Sequence, residues 1–204
     1  MNEASQKADM LLQVLKYIKK FENKVIVIKY GGNAMESEAV QAAVFQDISM
    51  LVRLGLKIVV VHGGGLKIDE ELARRGIEKK MIDGLRVTDA TTLQVVVNSL
   101  SAVNKECVDG LKKVGVKAHD FTRGIFLTKA LDEQFGHVGD IIKVNTGAIV
   151  KSLEKGVIPV ISCLGQDKSK QTHNINADTA ATKVAEALKA EKLTILTNID
   201  FPVD

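Results

Sequence analysis

The chain has 204 residues, with 28 Lys and Arg against 25 Asp and Glu, so its net charge of +3 is too small to argue for nucleic acid. That length fits one sizeable domain, or one domain with part of a second. No apolar run reaches the ~20 residues that span a bilayer, and charges interrupt the N-terminus where a signal peptide would carry its apolar core.

Cys107 and Cys163 form no metal-ligand spacing and read as buried thiols. Together these features favour a cytoplasmic enzyme or binding protein.

Residues 5–21 are predicted as an amphipathic helix capped by Ser5. Leu11, Val14, Leu15, Ile18 and Phe21 recur at helical spacing, with Lys16, Lys19 and Lys20 largely opposite. The stripe either packs back on its own domain or meets another subunit. Strand 25–29 follows, then a helix over 37–54 stopped by Gly55. Strand 57–61 leads to a helix over 66–75 stopped by Gly76. A polar loop is predicted at 83–89. A long helix is predicted over 89–114, capped by Asp89 and ended by Gly115.

Residues 116–144 carry short β-like pieces and read as one or two hairpins. Helix 145–155, strand 157–161, helix 178–190 and strand 193–197 complete the pattern. Pro159 predicts an unpaired N–H near an edge or bulge. Alternating strands and helices imply a largely parallel sheet covered on both faces. Only seven residues follow the last strand, and the chain looks cut short.

Two glycine clusters each follow a β-branched run. The first is Val25-Ile26-Val27-Ile28-Lys29-Tyr30-Gly31-Gly32, and the second is Ile58-Val59-Val60-Val61-His62-Gly63-Gly64-Gly65. A glycine turn between strand and helix offers backbone N–H groups and a helix N-terminus to an anion. Neither cluster is GxGxxG or GxxxxGK[ST], and one alone reads equally as a tight turn. The pair points to a multiply anionic substrate. Lys29 is either a strand-end lysine entering solvent or a cation beside transferring phosphoryl oxygens.

Arg86 sits in Asp83-Gly84-Leu85-Arg86-Val87-Thr88-Asp89. Its guanidinium either grips a carboxylate or pairs internally with Asp83 or Asp89. In Asn174-Ile175-Asn176-Ala177-Asp178, the two Asn side chains would point the same way if extended. Asp178 either caps the following helix or orients a lysine or metal. His62 reads as structural, and no histidine shows metal-ligand spacing.

Taken with Val103-Asn104-Lys105-Glu106, these segments resemble, in order and spacing, the motif set of the N-acetyl-L-glutamate kinases of the amino acid kinase superfamily. The resemblance runs from about residue 8 to 200. It implies an α/β; three-layer α/β/α sandwich, C-terminally incomplete. The parts are an N-terminal helix (1–22), an acetylglutamate-binding part (23–176) and the start of a nucleotide-binding part (177–204). It implies phosphorylation of the γ-carboxylate of N-acetyl-L-glutamate by ATP with Mg²⁺, in arginine biosynthesis.

On that resemblance Lys29 and Asp178 are catalytic. Gly31 and Gly32 bind phosphate, while Gly64, Gly65, Arg86, Asn174 and Asn176 hold the acceptor, with Gly64 also reaching the phosphoryl oxygens. Tyr17 marks a helix found in arginine-inhibited members, which implies inhibition by arginine and a homodimer or hexamer. No metal-ligand set, nucleic acid or membrane is implied. The segment His119–Gly124 departs from the family's glycine-rich stretch. The family's second catalytic lysine lies beyond residue 204. An alternative is a fragment or regulatory module that binds N-acetylglutamate or arginine without phosphoryl transfer.

Overall fold

The computed structural model describes residues 3–35 and 37–196. The chain runs through α1 (Glu3–Lys19), β1 (Val25–Tyr30), α2 (Glu38–Arg53), β2 (Lys57–His62) and α3 (Gly65–Arg74). A hairpin of β3 (Met81–Ile82) and β4 (Leu85–Arg86) precedes the long α4 (Ala90–Lys113). Then come β5 (Ala118–Phe121), β6 (Phe126–Ala130), β7 (Gly139–Val144), α5 (Thr146–Glu154) and β8 (Ile158–Ser162). The remaining elements are β9 (Leu164–Gln166), β10 (Thr172–Asn174), α6 (Ala177–Leu188) and β11 (Lys192–Ile195).

The strands β11-β1-β2-β8-β5 form one parallel sheet. Ile26, Ile28, Ile58, Val60 and Val160 bury one face with Phe45 and Ile48 of α2 and Val103, Cys107 and Leu111 of α4. Val27, Val59, Val61 and Ile161 bury the other with Ile149 of α5 and Ala180, Ala181 and Val184 of α6. This is the expected α/β/α sandwich. A sheet covered on both faces needs apolar residues at every strand position, hence the unbroken β-branched runs. Each fully buried Val or Ile contributes about 1.5–3 kcal/mol relative to exposure.

The structure departs from the sequence reading in several places. Residues 83–89 begin as a hairpin rather than a loop. Asp83 and Gly84 both have positive φ (48° and 75°), as a two-residue hairpin turn with matching twist requires. In 116–144, β6 and β7 form the expected hairpin, but β5 joins the main sheet beside β8. Pro159 lies in β8, one strand in from the edge strand β5 and so not on the edge itself. Ile158 N–H bonds to the Lys117 carbonyl on the β5 side, so the Pro159 nitrogen faces β2, whose pairing with β8 begins only at Val160. Helix α1 begins at Glu3, so Ser5 is not its cap, and of its described side chains Ile18 packs on the core, joined by Phe21 just beyond the helix. Of the strand expected at 193–197, Thr197 lies outside the described residues.

A second, four-stranded sheet in the order β10-β9-β6-β7 stands beside the first. A bridge from Thr88 to Gly136 attaches it to the loop after β4, and one from Val138, just ahead of β7, to Asn174 links its two outer strands, β7 and β10. A Cβ at Gly136 would lie 2.5 Å from the Thr88 carbonyl oxygen, so this junction admits only glycine. The second sheet and the β3–β4 hairpin thereby form walls around the C-terminal ends of β1 and β2. Open parallel sheets bind ligands at such ends.

Candidate active site

One cavity of about 270 Å³ opens there, smaller than a drug-sized pocket and suited to a small acid. Lys29, Gly31, Gly32, Gly64, Gly65, Arg86, Asn174 and Asn176 all line it. Asp178 joins them through Lys29, whose Nζ lies 3.2 Å from Asp178 Oδ1. Tyr17 is elsewhere, on α1, where its hydroxyl accepts from Lys192 Nζ at 2.8 Å.

The two glycine turns do different things. A Cβ at Gly31 would come within 3.3 Å of Lys29 Nζ, so glycine leaves room for the ammonium. Gly63 spends its N–H on the Tyr30 carbonyl at 3.0 Å, extending the strand pairing by one residue. Gly64 is the N-cap of α3 and offers no side chain to its first turn. The N–H groups of that turn are therefore available to an anion, reinforced by the helix dipole. A Cβ on Gly64 would meet Leu100 Cδ2 at 2.8 Å, so glycine also keeps the turn close to α4.

Helix α6 starts differently. Asn176 Oδ1 accepts the N–H groups of Asp178 and Thr179, each at 3.0 Å. The cap is thus Asn176, and Asp178 is left to face Lys29. Asn174 and Asn176 both border the cavity but do not share one task. Asn174 Nδ2 donates to Thr88 Oγ1 at 3.2 Å, while the Asn176 side-chain oxygen serves the helix.

Arg86 is held by neither Asp83 nor Asp89. Its side chain is only 9% exposed, and Nη2 donates to Asp69 Oδ1 on α3 at 2.5 Å. Asp89 instead caps α4 through the Thr92 N–H at 2.7 Å. Arg86 Nη1 is buried without a partner among the described residues. An unpaired buried donor on a charged group is costly, and a carboxylate in the cavity would relieve it. Asp69 is a site residue that sequence reasoning missed. Its only signal is its place one helical turn beyond Gly65.

Burial pushes the thiols of Cys107 and Cys163 up to about 12, so neither is a nucleophile at neutral pH. Burial likewise lowers His62 to about 4, which keeps its ring neutral. The groups around this cavity offer two cations and the start of a helix to negative charge, and supply no thiolate nucleophile. Phosphoryl transfer between small molecules asks for that combination, since its catalysis is mostly positioning and electrostatic stabilisation. The class is a small-molecule phosphotransferase built on a parallel α/β sheet.

Comparison with known proteins gives the particular group. The amino acid kinase family matches residues 24–200, and the chain belongs to that family. It is a kinase. The acetylglutamate kinase of Campylobacter jejuni is 41% identical over 201 residues, covering 97% of this chain and 72% of that protein. The acetylglutamate kinase of Thermoanaerobacter pseudethanolicus is 45% identical over 203 residues, covering 95% of this chain and 67% of that one. This chain thus spans about seven-tenths of their length.

Among solved structures, smu.665 from Streptococcus mutans superposes with a TM-score of 0.79 at 33% identity, covering 86% of this chain and 73% of that one. N-acetylglutamate synthase from Neisseria gonorrhoeae, complexed with coenzyme A and N-acetyl-glutamate, gives 0.81 at 27% identity over 91% of this chain and 44% of that one. Carbamate kinase from Giardia lamblia gives 0.61 at 16% identity over 87% of this chain and 72% of that one, a likeness of fold alone.

Proposed function

We propose that the protein transfers the γ-phosphoryl group of ATP to the γ-carboxylate of N-acetyl-L-glutamate, within arginine biosynthesis in the cytoplasm. The observation that carries this reading is the pair of cations in one cavity: Lys29 beside the glycine turns, and Arg86 with an unpartnered Nη1. A dicarboxylate acceptor matches them, its α-carboxylate on Arg86 and its γ-carboxylate toward Lys29. The names of the relatives and the ligand in the Neisseria structure support the same acceptor.

In this reading Lys29, oriented by Asp178, neutralises charge on the transferring group. The N–H groups of Gly31, Gly32 and Gly64 donate to its oxygens, Gly65 and Asn174 help seat the acceptor, and Asn176 supports them. Mg²⁺ neutralises phosphate charge and would arrive on the phosphates of ATP; Asp178 is the carboxylate that stands beside the cradle.

The exposed Met10, Val14 and Tyr17 of α1, at helical spacing, support an assembly through this helix as a homodimer or hexamer; arginine as inhibitor rests on the resemblance of this helix to that of arginine-inhibited members. The test is ADP release by the intact protein with N-acetylglutamate. Turnover dependent on that acceptor is expected. Lys29→Ala should lower kcat about 100-fold or more, with a small change in acceptor KM. Binding of the acceptor without any affinity for ATP, seen by calorimetry, would favour a regulatory module instead.

A further inference from the structure

His62 ends β2 with its ring fully buried beneath the second glycine turn. Its Nδ1 lies 3.0 Å from the Gly63 carbonyl oxygen. A carbonyl only accepts, so Nδ1 carries the proton and Nε2 is left as an acceptor. Nε2 is buried and unpartnered among the described residues, as is Ser162 Oγ at the matching position of the neighbouring strand. The ring is therefore desolvated for a single hydrogen bond, the one to the turn.

That bond sets the direction of a peptide. The Gly63–Gly64 peptide is trans and planar, so the Gly64 N–H points opposite to the Gly63 carbonyl. With the carbonyl turned inward to His62, the Gly64 N–H turns outward to the cavity that Gly64 lines. The preceding peptide is fastened as well. Its N–H, that of Gly63, reaches the Tyr30 carbonyl at 3.0 Å, and its carbonyl, that of His62, accepts from Cys163 Sγ at 3.0 Å. Successive glycines have the widest backbone freedom of any sequence, and a donor cradle acts best when it is already oriented.

We propose that His62 is a positioning residue, the donor that locks the Gly63–Gly64 peptide so that the Gly64 N–H faces the anion in the cavity. Its effect on turnover rests on the acceptor reading above, whereas the bond itself can be read without substrate. Ring ¹⁵N shifts of His62 in the intact protein should show the proton on Nδ1. A proton on Nε2 would overturn the proposal.

Two variants carry the kinetic test. His62→Phe keeps a ring and removes the donor, while His62→Asn places an amide nitrogen close to where Nδ1 lies. With ATP and N-acetylglutamate, the Phe variant should lose at least tenfold in kcat, with acceptor KM changed less than twofold. The Asn variant should recover most of that loss. Equal losses in both variants, or native kcat in the Phe variant, would overturn the role. A wild-type protein that does not turn over N-acetylglutamate would count against the acceptor assignment, and the ring shifts would still decide on His62.

Discussion

Asp69 carries two cations at once. Its carboxylate accepts from Lys79 Nζ at 2.7 Å and from Arg86 Nη2 at 2.5 Å. Partial burial pushes its pKa up, but the hydrogen bonds from Lys79 and Arg86 outweigh that and hold it below the ordinary value. With a depressed folded pKa, its contribution is complete above the unfolded value of about 3.8 and is lost only as pH falls through the lower folded one. Asp69 therefore orients Arg86 throughout the neutral range. Asp69→Asn keeps the shape but removes the charge. Losing a charge-assisted bond of about 1.5 kcal/mol or more should raise acceptor KM about tenfold while kcat moves little. Steady-state titration of the acceptor checks this. A loss confined to kcat would place Asp69 in the phosphoryl half of the site instead.

At the scale of elements, α3 and α6 both aim their N-termini at the cavity, and only α6 is capped by its own side chain. Asn176→Ala should therefore destabilise the fold by about 1 kcal/mol, a fall in Tm of roughly 2–4 °C for a domain of this size. Asn176→Asp keeps the accepting oxygen and should restore stability. If the Asp variant is as stable as wild type but binds the acceptor poorly, the amide nitrogen of Asn176 touches the ligand.

The same elements show what was legible beforehand. The long periodic helices and the doubly buried strands could be read because their patterns are local, and Gly55, Gly76, Gly115 and Gly156 stop α2 to α5 at positive φ. The β3–β4 hairpin escaped because its strands are two residues each, too short to alternate, although Asp-Gly is a strong turn signal. The second sheet escaped for the same reason at β9 and β10, three residues each. In the site, Lys29 and the glycine turns were visible as strand-end motifs. The Arg86–Asp69 pair and the Thr88–Asn174 bond, 17 and 86 residues apart in sequence, are products of tertiary packing that no local pattern encodes.

For the whole molecule, the buried histidines set how stability depends on pH. Burial lowers His62 from 6.5 to about 4 and also lowers His173, which bonds to Thr128 Oγ1 at 2.9 Å. A base with a depressed folded pKa takes up its proton more readily when unfolded. Between about pH 6.5 and 4 the unfolded chain binds more protons, and stability rises with pH. The carboxylates held low, Asp69, Glu71, Asp89 and Asp167, enter only below their ordinary values of 3.8 to 4.5. The thiols and Tyr30 are shifted upward and titrate on the alkaline side. The window from pH 6.5 to 4.5 thus belongs to the histidines. His62 alone should cost on the order of 2 kcal/mol across it, since a tenfold difference in proton affinity between the folded and unfolded chain is worth about 1.4 kcal/mol. Urea midpoints measured from pH 7.5 to 4.5 should be flat down to about 6.5 and then fall. His62→Asn, which has no proton to gain, should flatten most of that decline, leaving the share of His173. A wild-type midpoint that stays constant through the window would mean that the His62 ring is not held neutral beneath the glycine turn.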